Sequence, residues 1–154
     1  MKRIRILAVG RLKTPHWRDA AAFYQKRLVR ALHFDEQCVK DADPSLSVEG
    51  RKEMESVRLQ KLLRTGDMPI CLDETGEKLD SRAFAAFLNK IYESAQTPCF
   101  IVGGAYGLSP ALLETTRHSL SLGAMTFPHE MARIILLEQI YRAENILAGT
   151  GYHH

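Results

Sequence analysis

The chain has 154 residues, room for one compact domain and little more. Its 45% hydrophobic and 25% charged residues are ordinary for a folded domain, and no window approaches the roughly 18 consecutive apolar residues of a membrane span, which sets aside disordered and membrane-embedded classes. The net charge of +3 hides a segregation: residues 1–30 hold nine Lys or Arg against one acid, Asp19, and the remainder holds twelve bases and seventeen acids. Charge alone leaves two readings level, a face for a polyanion such as nucleic acid and a solvated basic helix with no partner.

In chain order, Met1-Lys2-Arg3 precedes the apolar run Ile4–Val9, closed by Gly10. The run is too short for a signal peptide and reads as a first strand. Trp17, Ala20, Ala21, Tyr24, Leu28 and Leu32 follow helical spacing, with Thr14 or Pro15 as the start. His33–Val39 reads as a second strand and Asp41–Ser47 as a loop. A polar helix is expected from about Arg51 to Arg64, ended by Gly66. Pro69–Leu72 is a third strand, followed by a polar turn, Asp73-Glu74-Thr75-Gly76-Glu77. Ser81 is the expected cap of a helix carrying Phe84, Phe87, Leu88 and Ile91.

Cys99–Val102 is a fourth strand and runs into Gly103-Gly104-Ala105-Tyr106-Gly107. Ser109 and Pro110 open the next helix. Leu120–Leu122 and Met125–Phe127 form a short fifth strand region that Pro128 stops. A long helix follows, with Met131, Ile134, Ile135, Ile140, Tyr141 and Leu147 in its apolar set. Cys38, Cys71 and Cys99 lack the spacing of a disulfide framework or a zinc site, so a reducing, cytoplasmic setting is expected. Alternating strands and helices predict a single α/β domain over 1–154 with a mostly parallel sheet.

Ligands of open α/β sheets bind at the carboxyl ends of strands. Three such ends carry unusual sequences: Leu72–Gly76, Gly103–Gly107 and Leu122–Phe127. Gly103 and Gly104 would let a ligand approach free amides at a helix start, although spacing alone favours a tight strand-to-helix turn. The segment matches neither a dinucleotide fingerprint nor a phosphate loop. Leu122-Gly123-Ala124-Met125-Thr126-Phe127 has the character to wrap an adenine, while composition alone favours a core strand. His129 is expected to order the turn before the long helix. Glu138 and Arg142, four apart, read as a surface ion pair. Tyr152-His153-His154 reads as a frayed tail or the stub of a tag, since chain ends are usually disordered unless they dock.

In order and spacing, these segments resemble one family. Ile6–Lys13, Leu72–Gly76, Phe100–Gly104 with Gly107-Leu108, Met125–His129, Glu138–Ala143 and Tyr152-His153 are similar to the ribosomal large-subunit RNA pseudouridine N3-methyltransferases of the SPOUT class, RlmH type. The likeness spans essentially the whole chain. It implies a trefoil-knotted α/β fold, an exception to the rule against knots. It also implies a homodimer with the active site near its interface. S-adenosyl-L-methionine would be the cofactor, held by Leu72, Gly103, Leu122, Gly123, Ala124, Met125, Thr126 and Phe127. Arg142, Tyr152 and His153 match the family's C-terminal active region.

The implied substrate is a pseudouridine of large-subunit (23S) rRNA, methylated at N3 on the assembled ribosome. A sulfonium methyl is already activated, so no metal is expected, and the task is positioning. His153 is the first candidate to take the N3 proton, Tyr152 to stack on the base, and Arg142 to neutralise a phosphate or the developing oxygen charge. The basic first thirty residues would face rRNA backbone. A non-catalytic ribosome-binding factor and a nucleotide-dependent oxidoreductase are the competing readings; the first predicts no cofactor binding, the second NAD binding.

Overall fold

The computed structural model describes residues 1–154. Five strands, β1 (Arg3–Val9), β2 (His33–Val39), β3 (Asp67–Lys78), β4 (Thr97–Val102) and β5 (His118–Ser121), alternate with five helices, α1 (Pro15–Leu28), α2 (Val48–Gln60), α3 (Ser81–Glu93), α4 (Pro110–Thr115) and α5 (His129–Ala148). All pairings are parallel and the sheet order is β2-β1-β4-β3-β5. A parallel sheet needs cover on both faces, and the strands are apolar on both. Ile4, Ile6 and Ala8 of β1, with Phe100 and Val102 of β4, join the core under α1, α3 and α5. Leu7 and Val9, with Cys99 and Ile101, face the smaller core that holds Leu59 of α2 and Leu112 of α4.

Arg5 shares the face of Leu7 and Val9 and is 4% exposed. A guanidinium there needs full pairing to offset its lost hydration. It bonds Asp35 (3.2 Å), Asp67, the Gln37 amide oxygen (2.6 Å) and the Leu62 carbonyl (3.2 Å). The basic N-terminal stretch is therefore partly committed within the chain: Arg5 is buried, Lys2 pairs with Glu144 and the exposed Lys13 with Asp41. Arg3, Arg11, Arg18, Lys26 and Arg30 remain exposed and outside any ion pair.

Four boundaries differ from the sequence expectation. The polar helix starts at Val48 because Ser47 caps it, accepting from the Gly50 amide at 3.0 Å. Asp80, not Ser81, caps α3, accepting from Ala83 N at 2.8 Å; the Ser81 hydroxyl turns instead to Gln139 (2.8 Å). Asp73–Glu77 is not a turn after β3 but an irregular stretch within it, where the pairing with β5 jumps from Leu72 to Glu77. Met125–Phe127 is loop, since β5 ends at Ser121.

Gly76 lies where this stretch crosses β5. A Cβ there would stand 2.7 Å from the Ser119 carbonyl carbon. Only a residue without a side chain permits that crossing. No helix is long and apolar enough to cross a membrane.

Candidate active site

Two of the three unusual segments follow β4 and β5 and the third is the irregular stretch within β3; the strands are neighbours in the order β4-β3-β5, so the segments meet. Between them lies a cleft of about 240 Å³. Leu72, Asp73 and Glu74 wall it from β3, and Val102 with Gly103–Gly107 from β4. Leu122, Gly123, Met125, Thr126 and Phe127 follow β5, and His129 and Ala132 come from the first turn of α5. Of the residues expected to hold a cofactor, only Ala124 is missing from the wall; it is exposed on the same loop.

Each loop has a local reason for its path. The Gly103–Gly107 loop folds back on itself: Gly107 N donates to the Gly104 carbonyl at 3.1 Å. A Cβ on Gly103 would stand 2.6 Å from the Gly107 carbonyl carbon, so the turn closes only on glycine. The Ser109 hydroxyl accepts from Leu112 N (3.2 Å) and starts α4. In the third loop the Ser121 hydroxyl accepts from Gly123 N (3.1 Å) and donates to the Gly123 carbonyl (2.9 Å). The Thr126 hydroxyl donates to Glu74 at 3.2 Å, tying the third loop to the β3 wall. Helix α2 backs the glycine loop, with the Arg51 guanidinium 4.8 Å from the Tyr106 ring centroid and the Ser56 hydroxyl accepting from Ser109 N at 2.9 Å.

The cleft carries two acids, Asp73 and Glu74, and neither Lys nor Arg in its wall. It therefore suits a cationic rather than a phosphate-bearing ligand. Side chains added at Gly107 or Gly123 would meet nothing within 4 Å, so the backbone there borders open space. Glycine-bordered amides, an apolar rim of Leu72, Leu122 and Phe127, and local negative charge together fit an adenosyl ligand that carries a sulfonium.

Arg142, Tyr152 and His153 form a second group that does not line this cleft. Their hub is Glu138. Its Oε1 accepts from Arg142 Nη2 (2.5 Å) and Nε (2.9 Å), with the Tyr152 hydroxyl at 3.5 Å. Its Oε2 is buried without a partner. Arg142 Nη1 lies 3.2 Å from His153 Nδ1. A guanidinium only donates, so Nδ1 accepts and the neutral ring carries its proton on Nε2. Tyr152 packs edge-on against Tyr141, centroids 4.9 Å apart, and the Arg142 guanidinium lies 4.8 Å from the Tyr152 ring. Burial and then the Glu138 charge raise the pKa of Tyr152 above the usual phenol value, and the hydrogen bond to Glu138 raises that of Arg142. The α5–tail group thus presents a neutral phenol and a firm cation. From Ala132 to Arg142 along α5 is about 15 Å.

Residue spacing shows Glu138 only as an ion-pair partner, and α2 only as a polar helix with no link to the site. A buried orphan oxygen and a helix lying behind a loop leave no mark in residue spacing.

The family profile described as "Predicted SPOUT methyltransferase" matches residues 1–153. The chain is 50% identical over 155 residues to "Ribosomal RNA large subunit methyltransferase H" of Oleidesulfovibrio alaskensis, covering 100% of both chains. It is 47% identical to the protein of the same name from Lawsonia intracellularis, covering 99% of this chain and 98% of that one. Among solved structures, a "Probable Methyltransferase from Bordetella pertussis Tohama I" superposes with a TM-score of 0.57 over 93% of this chain and 96% of its own; at 15% identity it speaks for the fold alone.

Proposed function

The chain belongs to the SPOUT methyltransferase family, and from that premise we propose that it methylates large-subunit ribosomal RNA, taking the methyl group from S-adenosylmethionine. The target we infer is N3 of a pseudouridine presented on the assembled ribosome. The observation that carries this reading is the meeting of the irregular β3 stretch with the loops after β4 and β5 in one glycine-bordered, acid-lined cleft. When bound, S-adenosylmethionine supplies a methyl group already activated by its sulfonium. Leu72, Gly103 and the Leu122–Phe127 loop would hold it, with Thr126 and Glu74 keeping two of the walls together.

The remaining work falls to Arg142 of α5 and the tail beside it. Arg142 offers positive charge to a phosphate or to the oxygen charge that grows as the base loses its N3 proton. The Tyr152 ring offers a stacking face. His153, expected from the sequence to take the proton, has its Nδ1 occupied by Arg142 and offers Nε2–H as a donor. Glu138 Oε2 is buried and unpaired, so it is a second acceptor in the same group. Proton transfer to His153 requires Arg142 to swing onto the substrate first.

Cleft and tail lie apart along α5 within one chain, which favours a homodimer whose second copy brings its tail to the first copy's cleft. α5 supports this: Met131 and Ile135 are partly exposed apolar residues that lie outside both its buried set and the core packing. The trefoil knot of the family belongs to the same proposal, and the tight crossing at Gly76 is compatible with a threaded chain. The exposed arginines and Lys26 around α1 would meet rRNA phosphates.

The test is incubation with radiolabelled S-adenosylmethionine and either whole ribosomes or free rRNA from cells lacking the activity. Label in one pseudouridine of large-subunit RNA, from ribosomes above all, is the expected result. No label in either substrate would reject the reading.

A further inference from the structure

Residues 41–60 carry no motif, yet they place one buried acid behind the cleft. Glu55 of α2 is 5% exposed. Its Oε2 accepts from the Ala42 amide at 3.0 Å. Neither oxygen pairs with a Lys, Arg or His. Arg51, one turn earlier on the helix, lies against Tyr106 instead. Glu55 Oε1 stands 3.0 Å from where a Cβ on Gly104 would sit, and Gly104 is part of the cleft wall. Gly104, with the Val9 side chain packed beside it, therefore borders both this carboxylate and the cleft. Burying a carboxylate without a cation is costly. In a poorly solvated setting it also acts strongly on any charge that enters the cleft. Asp73 and Glu74 add the same sign at the rim, where water screens them more.

We propose that Glu55 is a specificity-determining residue that makes the cleft prefer the positively charged methyl donor, S-adenosylmethionine, over its product, S-adenosylhomocysteine, whose sulfur is neutral. This rests on the cofactor reading above. The two ligands share adenosine and amino-acid groups, so shape and hydrogen bonding recognise both. They differ by one methyl group and one positive charge, and only the charge responds to a carboxylate behind Gly104. Ser56 provides the contrast. Its hydroxyl holds the Ser109 amide without charge, so its loss loosens the loop for both ligands alike.

Titration calorimetry with each ligand on the full-length wild type, Glu55→Gln, Glu55→Asp and Ser56→Ala tests this. Gln keeps an oxygen for the Ala42 amide and removes the charge. Glu55→Gln is expected to weaken S-adenosylmethionine binding by about tenfold while leaving S-adenosylhomocysteine within about twofold, the size of a charge pair acting across a protein wall. Ser56→Ala is expected to weaken both in parallel. If Glu55→Gln lowers both affinities equally, or neither, Glu55 is structural and the proposal is overturned. Glu55→Asp keeps the charge and covers the case of a Gln variant that melts early: its ratio of affinities is expected to stay near the wild type's, and a tenfold loss of preference would contradict the proposal. A wild type that binds neither ligand would instead bring down the cofactor reading itself.

Discussion

Two glycines show how residue-level constraint divides between space and backbone conformation. Gly66 has a φ of +91° with open space around it, so a methyl group there costs only conformational strain. Gly76 faces the β5 backbone within 2.7 Å, and no side chain can be repacked to make room. Gly66→Ala should cost about 1 kcal/mol and Gly76→Ala about 3 kcal/mol or more, read from urea unfolding midpoints; similar losses for both would refute the close crossing. The Glu138 hub makes a second residue-level prediction. Its charge helps raise the phenol pKa of both Tyr24 and Tyr152, after burial in each case. Glu138→Gln should therefore bring both phenols down towards ordinary tyrosine, seen in a ring-carbon NMR titration from pH 8 upwards, while Tyr92, whose own raised pKa comes from burial and Glu144, should not move. Neither hub nor crossing was legible beforehand. Glu138–Arg142 looked like any four-residue ion pair, and Gly76 looked like turn punctuation.

At the scale of elements the sequence was most readable where one period dominates. Ile4–Val9 and Cys99–Val102 fall within the observed strands and Ser109-Pro110 opens α4 as expected, while His33–Val39 coincides with β2 despite its weak pattern. It was least readable where tertiary pairing overrides local chemistry. Asp73–Glu77 has the composition of a turn, yet the neighbouring β5 holds it in β3 through a register jump. The start of α5 lacks a side-chain cap on Pro128. Instead Glu130 in its first turn accepts from Lys13 N (2.6 Å) and the Thr14 hydroxyl (2.8 Å), and those bonds hold its carboxyl below the usual value of 4.5. A depressed folded-state pKa gives stability that is present above the unfolded pKa and lost as pH falls through the folded one. Glu130→Gln should then cost up to about 1 kcal/mol at pH 7, limited by solvent screening, and the difference from wild type should shrink in thermal melts as pH falls below the ordinary carboxylate range. Thiol reactivity reports the strands in the same way. Cys71 and Cys99 are buried, and burial pushes the Cys99 thiol up to about 12, whereas Cys38 is exposed at the sheet edge. One thiol of three should react with a soluble disulfide reagent in the folded protein, and all three after unfolding.

For the whole molecule, the sheet order does most to define the site, because it makes β4, β3 and β5 adjacent and so gathers three separately weak segments into one wall. Each segment could be singled out in the sequence as a strand end with odd composition, but their adjacency could not, since strand order leaves no trace in periodicity. The same holds for the separation of the Arg142–Tyr152–His153 group from the cleft. If two copies share each site, mixing a chain with Gly123→Val, blocked at the cleft, and a chain lacking Tyr152–His154 should restore part of the methylation that each lacks alone, because half-mixed dimers own one intact cleft facing one intact tail. No recovery on mixing would place cleft and tail of one chain in the same site. The most direct measurement concerns the cleft itself: backbone amide NMR spectra of the labelled protein during addition of S-adenosylmethionine. Saturable shifts concentrated at Leu72–Glu74, Gly103–Gly107 and Leu122–Phe127 are the expected result. Shifts that spare these three loops, or none at all at millimolar ligand, would contradict it.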